Sequence, residues 1–136
     1  MTLAPALAAI DEYRRMDLIN RSAQMGELLG QKLRALARKH PSIGDVRGLG
    51  LFWAVELVKD RTTKEPMNTP QDKAARRPLV VEAVAAEMLK RGVTVLAWVS
   101  HLVIAPPLIV TEEQLDEGIA ALDAALTIAD EKLKKA

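Results

Sequence analysis

The chain holds 136 residues, with 19 Lys+Arg against 18 Asp+Glu and no cysteine. That length suits one domain with one core, and the near-cancelled charge offers no field to hold nucleic acid or an anionic membrane. The missing thiols exclude disulfides, thiolate catalysis and cysteine-based metal sites, and fit a reducing cytoplasm.

The apolar start MTLAPALAAI runs directly into Asp11, Glu12, Arg14 and Arg15, so it reads as neither a signal peptide nor a membrane span. Residues 2–16 place Leu3, Leu7 and Ile10 at helical spacing and predict a first helix, with Pro5 tolerated in its first turn. Asp17 stands where it can cap a second helix. In that helix Leu18, Met25, Leu29, Leu33 and Leu36 form a core stripe, while Arg21, Lys32, Arg34, Arg38 and Lys39 read as a solvated face, until His40-Pro41 stops it. Glycines 44, 48 and 50 punctuate two β-like runs, 43–47 and 51–58, which predict a hairpin. The second run is apolar on both faces except at Glu56. It suits a strand covered on both sides and calls for a layer that so short a chain does not supply alone.

Residues 59–78 are polar, with prolines at 66, 70 and 78, and read as a long loop of the kind that serves function or crosses a neighbour. A third helix follows from Leu79, with Val80, Val81, Val84, Met88 and Leu89 inward and Arg91-Gly92 as its end. Runs 93–98 and 102–105 read as strands, the second stopped by Pro106 and Pro107, which cannot donate to a ladder. Thr111 and Gln114 then form a capping box for a terminal helix with Leu115, Ile119, Leu122, Leu126, Ala129 and Leu133 on one side. The order α-α-β-β-α-β-β-α predicts an α+β fold, a small and mostly antiparallel sheet packed against helices.

Residue types and spacing yield no catalytic constellation and no metal site. His40 and His101 lie far apart without ligand spacing; His40 reads as a helix C-terminal residue favouring the dipole, His101 as a turn residue. The glycines precede no helix N-terminus and so read as turn residues rather than a phosphate loop. Glu112 and Glu113 suit the positive end of the terminal helix, and Trp53 and Trp98 read as core or interface side chains.

The segments RGLGLFWAVELVKDRTTKEP (47–66) and HLVIAPPLIVTEEQLDEGIAALD (101–123) follow the helix TLAPALAAIDEYRRM and a helix ending in HP. Together and in that order they resemble the C-terminal part of class III aminotransferases, pyridoxal-phosphate enzymes of fold type I. The resemblance implies that residues 1–136 are the small domain of a transaminase moving an amino group between an amine or ω-amino acid and a 2-oxo acid. It implies two partners, the protein's own large domain and a second subunit in a homodimer, with the active site between them. It also implies pyridoxal phosphate in the whole protein, with the cofactor lysine outside this sequence. No residue here is then expected to be catalytic or cofactor-binding, and the isolated chain is expected to be inactive. Val103 stands where many members carry an arginine two residues before the alanine of A-P-P-L. Glu112 stands where some amine transaminases carry one after the capping threonine. Val103 and Glu112 are therefore the candidates for the substrate border, and neither supplies a cation for a substrate carboxylate. A pyridoxal-phosphate aminomutase and a free-standing regulatory or interaction module of the same layout are the alternative readings.

Overall fold

The fold grows from two long helices whose leucine stripes meet a four-stranded sheet. In the computed structural model, which describes residues 4–134, the elements are α1 (Ala4–Arg15), α2 (Leu18–Lys39), β1 (Ile43–Leu49), β2 (Phe52–Leu57), α3 (Pro70–Ala74), α4 (Val80–Lys90), β3 (Leu96–Trp98), β4 (His101–Ile104) and α5 (Glu112–Lys134). Leu3, expected in the first helix, lies outside the described residues. The sheet order is β1-β2-β4-β3 with every neighbouring pair antiparallel, and the expected α+β order holds with one addition. That addition is α3, a single turn inside the segment read as loop, started by a reciprocal capping box between Thr69 and Asp72. The Thr69 amide, and then Arg77, lower the Asp72 carboxyl to about 2.

The inner face of the sheet carries Trp53, Val55 and Leu57 on β2 and Leu102 on β4, all buried with Leu29 and Leu33 of α2, Val81 and Val84 of α4 and Leu122 and Leu126 of α5. Gly30 lets α2 approach, because a Cβ there would collide with the Trp53 ring. The Trp53 indole Nε1 donates to the Gly50 carbonyl at 2.7 Å. Gly50 itself closes the β1–β2 hairpin with φ +54°, a conformation that costs glycine nothing.

α2 and α5 lie side by side and run in the same direction, joined by charges repeating every seven residues. Lys32 Nζ is 2.5 Å from Asp116 and Lys39 Nζ is 2.5 Å from Asp123. His40 follows, buried, with Nε2 2.7 Å from Asp123 and Nδ1 2.7 Å from Asp130, whose other oxygen accepts from the Ser42 hydroxyl at 2.6 Å. Lys39, then His40, hold the Asp123 carboxyl below the usual carboxylate range. Burial alone would raise Asp130, but the Ser42 hydroxyl, the His40 ring and the Ser42 amide overcome it and leave that carboxyl lowered as well.

Several local expectations are corrected. Asp17 has φ 47° and ψ 44° and makes no side-chain cap, since capping requires extended backbone at that position; Asn20 Nδ2 donates to its carboxylate at 2.9 Å instead. Leu89 is 60 % exposed, because Val81, Val84 and Met88 already fill the inner face of α4 and the next residue rotates past it. β3 is three residues long rather than six, since residues 93–95 leave the ladder to line a cleft described below. His101 belongs to β4, paired with Trp98, so the turn is only Val99-Ser100, with Val99 at φ 53°. The basic residues of α2 are not a solvated face as a group. Lys32 and Lys39 bind α5, the Arg34 guanidinium lies 5.1 Å from the Trp53 ring centroid, and Arg21 reaches backbone carbonyls.

Candidate functional site

Strand alternation sends one set of side chains away from the core, to a face over which, among the described residues, only Lys73 of α3 reaches, at Trp98. Three antiparallel registers align Arg47, Ala54, Val103 and Leu96 in one row across the strands and Asp45, Glu56, His101 and Trp98 in the next. Leu49, Phe52, Leu96 and Trp98 are exposed there, from 58 % for Trp98 to 88 % for Leu49. Of the two tryptophans read as core or interface side chains, Trp53 is buried in the core and Trp98 lies exposed on this face. Lys73 of α3 caps its ring at 3.4 Å from the centroid.

A charge network sits within this apolar field. Arg47 Nη1 donates to Asp45 at 2.5 Å and to Glu56 at 2.9 Å, while Nη2 lies 3.0 Å from His101 Nε2. Hydrogen bonds to Glu56 and then Asp45 raise the Arg47 guanidinium further above its already high value. An arginine engaged by two carboxylates is a poor anion receptor, because its charge is already met.

The two border candidates flank the A-P-P-L segment on different sides. Val103, half-buried, faces outward between Ala54 and Leu96. Glu112 opens α5 and turns toward α2, 3.6 Å from Lys32; the Thr111 amide donates to Gln114 Oε1 at 3.0 Å and the Gln114 amide returns to Thr111 Oγ1 at 3.3 Å, the expected capping box. Beneath the segment lies a cleft of about 400 Å³, walled by Leu33, Met88, Thr94, Pro106, Gln114 and Leu122 and bordered by Val103 but not by Glu112.

The same segment is gripped from α2. Arg21 Nε donates to the Leu108 carbonyl at 3.2 Å, and Nη2 to those of Ile109 at 3.3 Å and Val110 at 2.7 Å. Sequence reasoning missed this clamp because its acceptors are backbone atoms, which leave no side-chain signature. It also missed the α2–α5 pairing, for which a signal existed: Lys32 and Lys39, and Asp116, Asp123 and Asp130, each recur at seven, the spacing of one helix face.

The family model for class-III aminotransferases matches residues 1–126. The taurine–pyruvate aminotransferase of Bilophila wadsworthia is 40 % identical over 131 residues, covering 95 % of this chain and 28 % of its own length. The ethanolamine-phosphate phospho-lyase homolog 1 of Caenorhabditis elegans is 37 % identical over 128 residues, 92 % of this chain and 26 % of its own. Among solved structures, the taurine:2-oxoglutarate aminotransferase from Bifidobacterium kashiwanohense, in complex with pyridoxal phosphate and glutamate, superposes with a TM-score of 0.79 at 32 % identity, over 93 % of this chain and 28 % of its own. The chain thus spans about 28 % of the length of the relatives it matches.

Proposed function

Because the chain belongs to the class III aminotransferase family, we propose that it is the small domain of a pyridoxal-phosphate-dependent transaminase moving an amino group between an amine or ω-amino acid and a 2-oxo acid. The observation that carries this reading is the bare outer sheet face, with Leu49, Phe52, Leu96 and Trp98 exposed beside Val103. Large apolar side chains exposed together around a closed charge network mark an interface. A large cofactor domain covers it, and a second subunit completes a homodimer.

The residues present do not by themselves fit pyridoxal phosphate. Lys32, Lys39, Lys59 and Lys90 each pair with a carboxylate, Lys64 donates to the Gly44 carbonyl, and Lys73 lies on Trp98. None of the described lysines lines the cleft. The cofactor, held by sequence beyond this chain, supplies the electron sink, and this chain supplies a wall. Ala54, Val103 and Leu96 keep one side of that wall apolar, and Glu112 supplies no cation for a substrate carboxylate, the neighbouring Lys32 being paired with Asp116. Amines lacking a carboxylate are then accepted.

The test is the full-length protein with pyridoxal phosphate, pyruvate and matched donors with and without a carboxylate, followed by alanine formation. Comparable kcat/KM for the two donors is expected. A strict carboxylate requirement would overturn the specificity reading, and release of phosphate from a phosphorylated amine without amino transfer would overturn the reaction class.

A further inference from the structure

Arg21 is a cation that meets no carboxylate among the described residues. Among the described residues, every hydrogen bond of its side chain ends on a carbonyl of one segment, at Leu108, Ile109 and Val110. These carbonyls belong to the turn between the two prolines and the start of α5, a turn otherwise closed by the Val110 amide donating to the Pro107 carbonyl at 2.9 Å. Fixing three successive carbonyls on one guanidinium sets the direction of that backbone. It turns Val110 into the core, 5 % exposed, and leaves Ile109 outward.

A second observation shows why such a grip matters. On its other side the segment borders open space, since Pro106, Pro107 and Val110 form part of the wall of the 400 Å³ cleft. Residues beside a cleft lack packing partners on that side, so a hold from the opposite side matters to their position. Arg21 holds the segment from α2, on the stretch that links Val103 of β4 to Glu112 of α5.

We propose that Arg21 is a positioning residue for substrate binding: by clamping the carbonyls of residues 108–110 it fixes the path of the stretch that joins the two border candidates, Val103 and Glu112. The inference rests on the proposal that this border faces the substrate. Arg21 touches neither substrate nor cofactor, so its removal acts on how the donor sits and not on the cofactor's electronics. A small displacement of a positioning wall costs about tenfold or more in reactivity.

The experiment compares Arg21→Met, Arg21→Lys and Glu112→Arg in the full-length holoenzyme. Arg21→Met is expected to raise KM for the amine donor about tenfold with kcat within about twofold. Pyridoxal-phosphate absorbance is expected to be retained, and Arg21→Lys, which keeps the charge but not the fork, to fall in between. Glu112→Arg tests the border reading alone, since it adds a cation there without touching the clamp, and is expected to shift preference toward carboxylated donors. If Glu112→Arg shifts preference while Arg21→Met leaves every KM unchanged, the positioning role is overturned and the border stands. If Arg21→Met lowers kcat, cofactor content and melting temperature together, Arg21 is a structural residue and the proposal fails. If Glu112→Arg changes no donor preference, the border reading fails and takes the proposal with it.

Discussion

Asp130 closes the end of the α2–α5 pairing with bonds to His40 and to both the hydroxyl and the amide of Ser42. Asp130→Asn keeps the shape and removes the charge from those bonds. It should cost about 2 kcal/mol of stability, read from the urea midpoint at unchanged slope. The same carboxylate sets a pH dependence. Asp123 and Asp130 are lowered in the folded state, so at acid pH the unfolded chain binds more protons than the folded one. Their contribution is complete above the ordinary carboxylate value of about 3.9 and is lost as pH falls below it. Melting temperature should therefore hold down to about pH 4 and drop as pH falls below it, and Asp130→Asn should flatten that drop; an unchanged slope would remove Asp130 from the account. At the border, Glu112→Arg should raise kcat/KM for carboxylated donors about tenfold over their uncharged analogues.

Two glycines at the element scale predict opposite signs. Gly30 sits against the Trp53 ring with no room for a Cβ, so Gly30→Ala should push α2 off β2 and destabilise by about 2 kcal/mol. Gly118 lies inside α5 with room for a methyl group, no described atom outside its own stretch of helix lying within 4 Å of where one would stand, so Gly118→Ala should stabilise by about 1 kcal/mol through helix propensity alone. Thermal denaturation of the two variants side by side checks both. The elements differed in how plainly the sequence announced them. The Thr111–Gln114 box and the β1–β2 hairpin are local, each declared by a few adjacent residues, and both stand where expected. α3 was legible too, in the Thr69-Pro70-Gln71-Asp72 start, but one turn carries no periodicity to draw attention to it. The ends of β3 and the inward set of α4 were not legible, because they depend on which neighbours have already filled the core. The candidate site divides in the same way. The need for a covering layer could be read from the two apolar faces of β2, whereas the Arg21 clamp depends on a loop path that only tertiary packing fixes.

For the whole molecule, the outer sheet face and α1 carry the main consequence. α1 buries none of its residues, and Leu7, Ile10 and Tyr13 lie exposed along it. The isolated chain should therefore self-associate, and Phe52→Lys with Leu96→Glu should return it toward a monomer on gel filtration. Incubated with pyridoxal phosphate and desalted, it should keep no visible absorbance and transfer no amino group; a stoichiometric coloured band that turns over with an amine would contradict this. The parallel seam between α2 and α5 also sets an order of events during synthesis. Its ion pairs join residues 83 to 90 positions apart, and α5 is made after every other described element. While the ribosome builds everything between, Leu29, Leu33 and Leu36 have no helix to close over them. The nascent chain stays open along that flank until Asp130 arrives, a waiting time of about five to twenty seconds at ordinary elongation rates, during which a chaperone would find it.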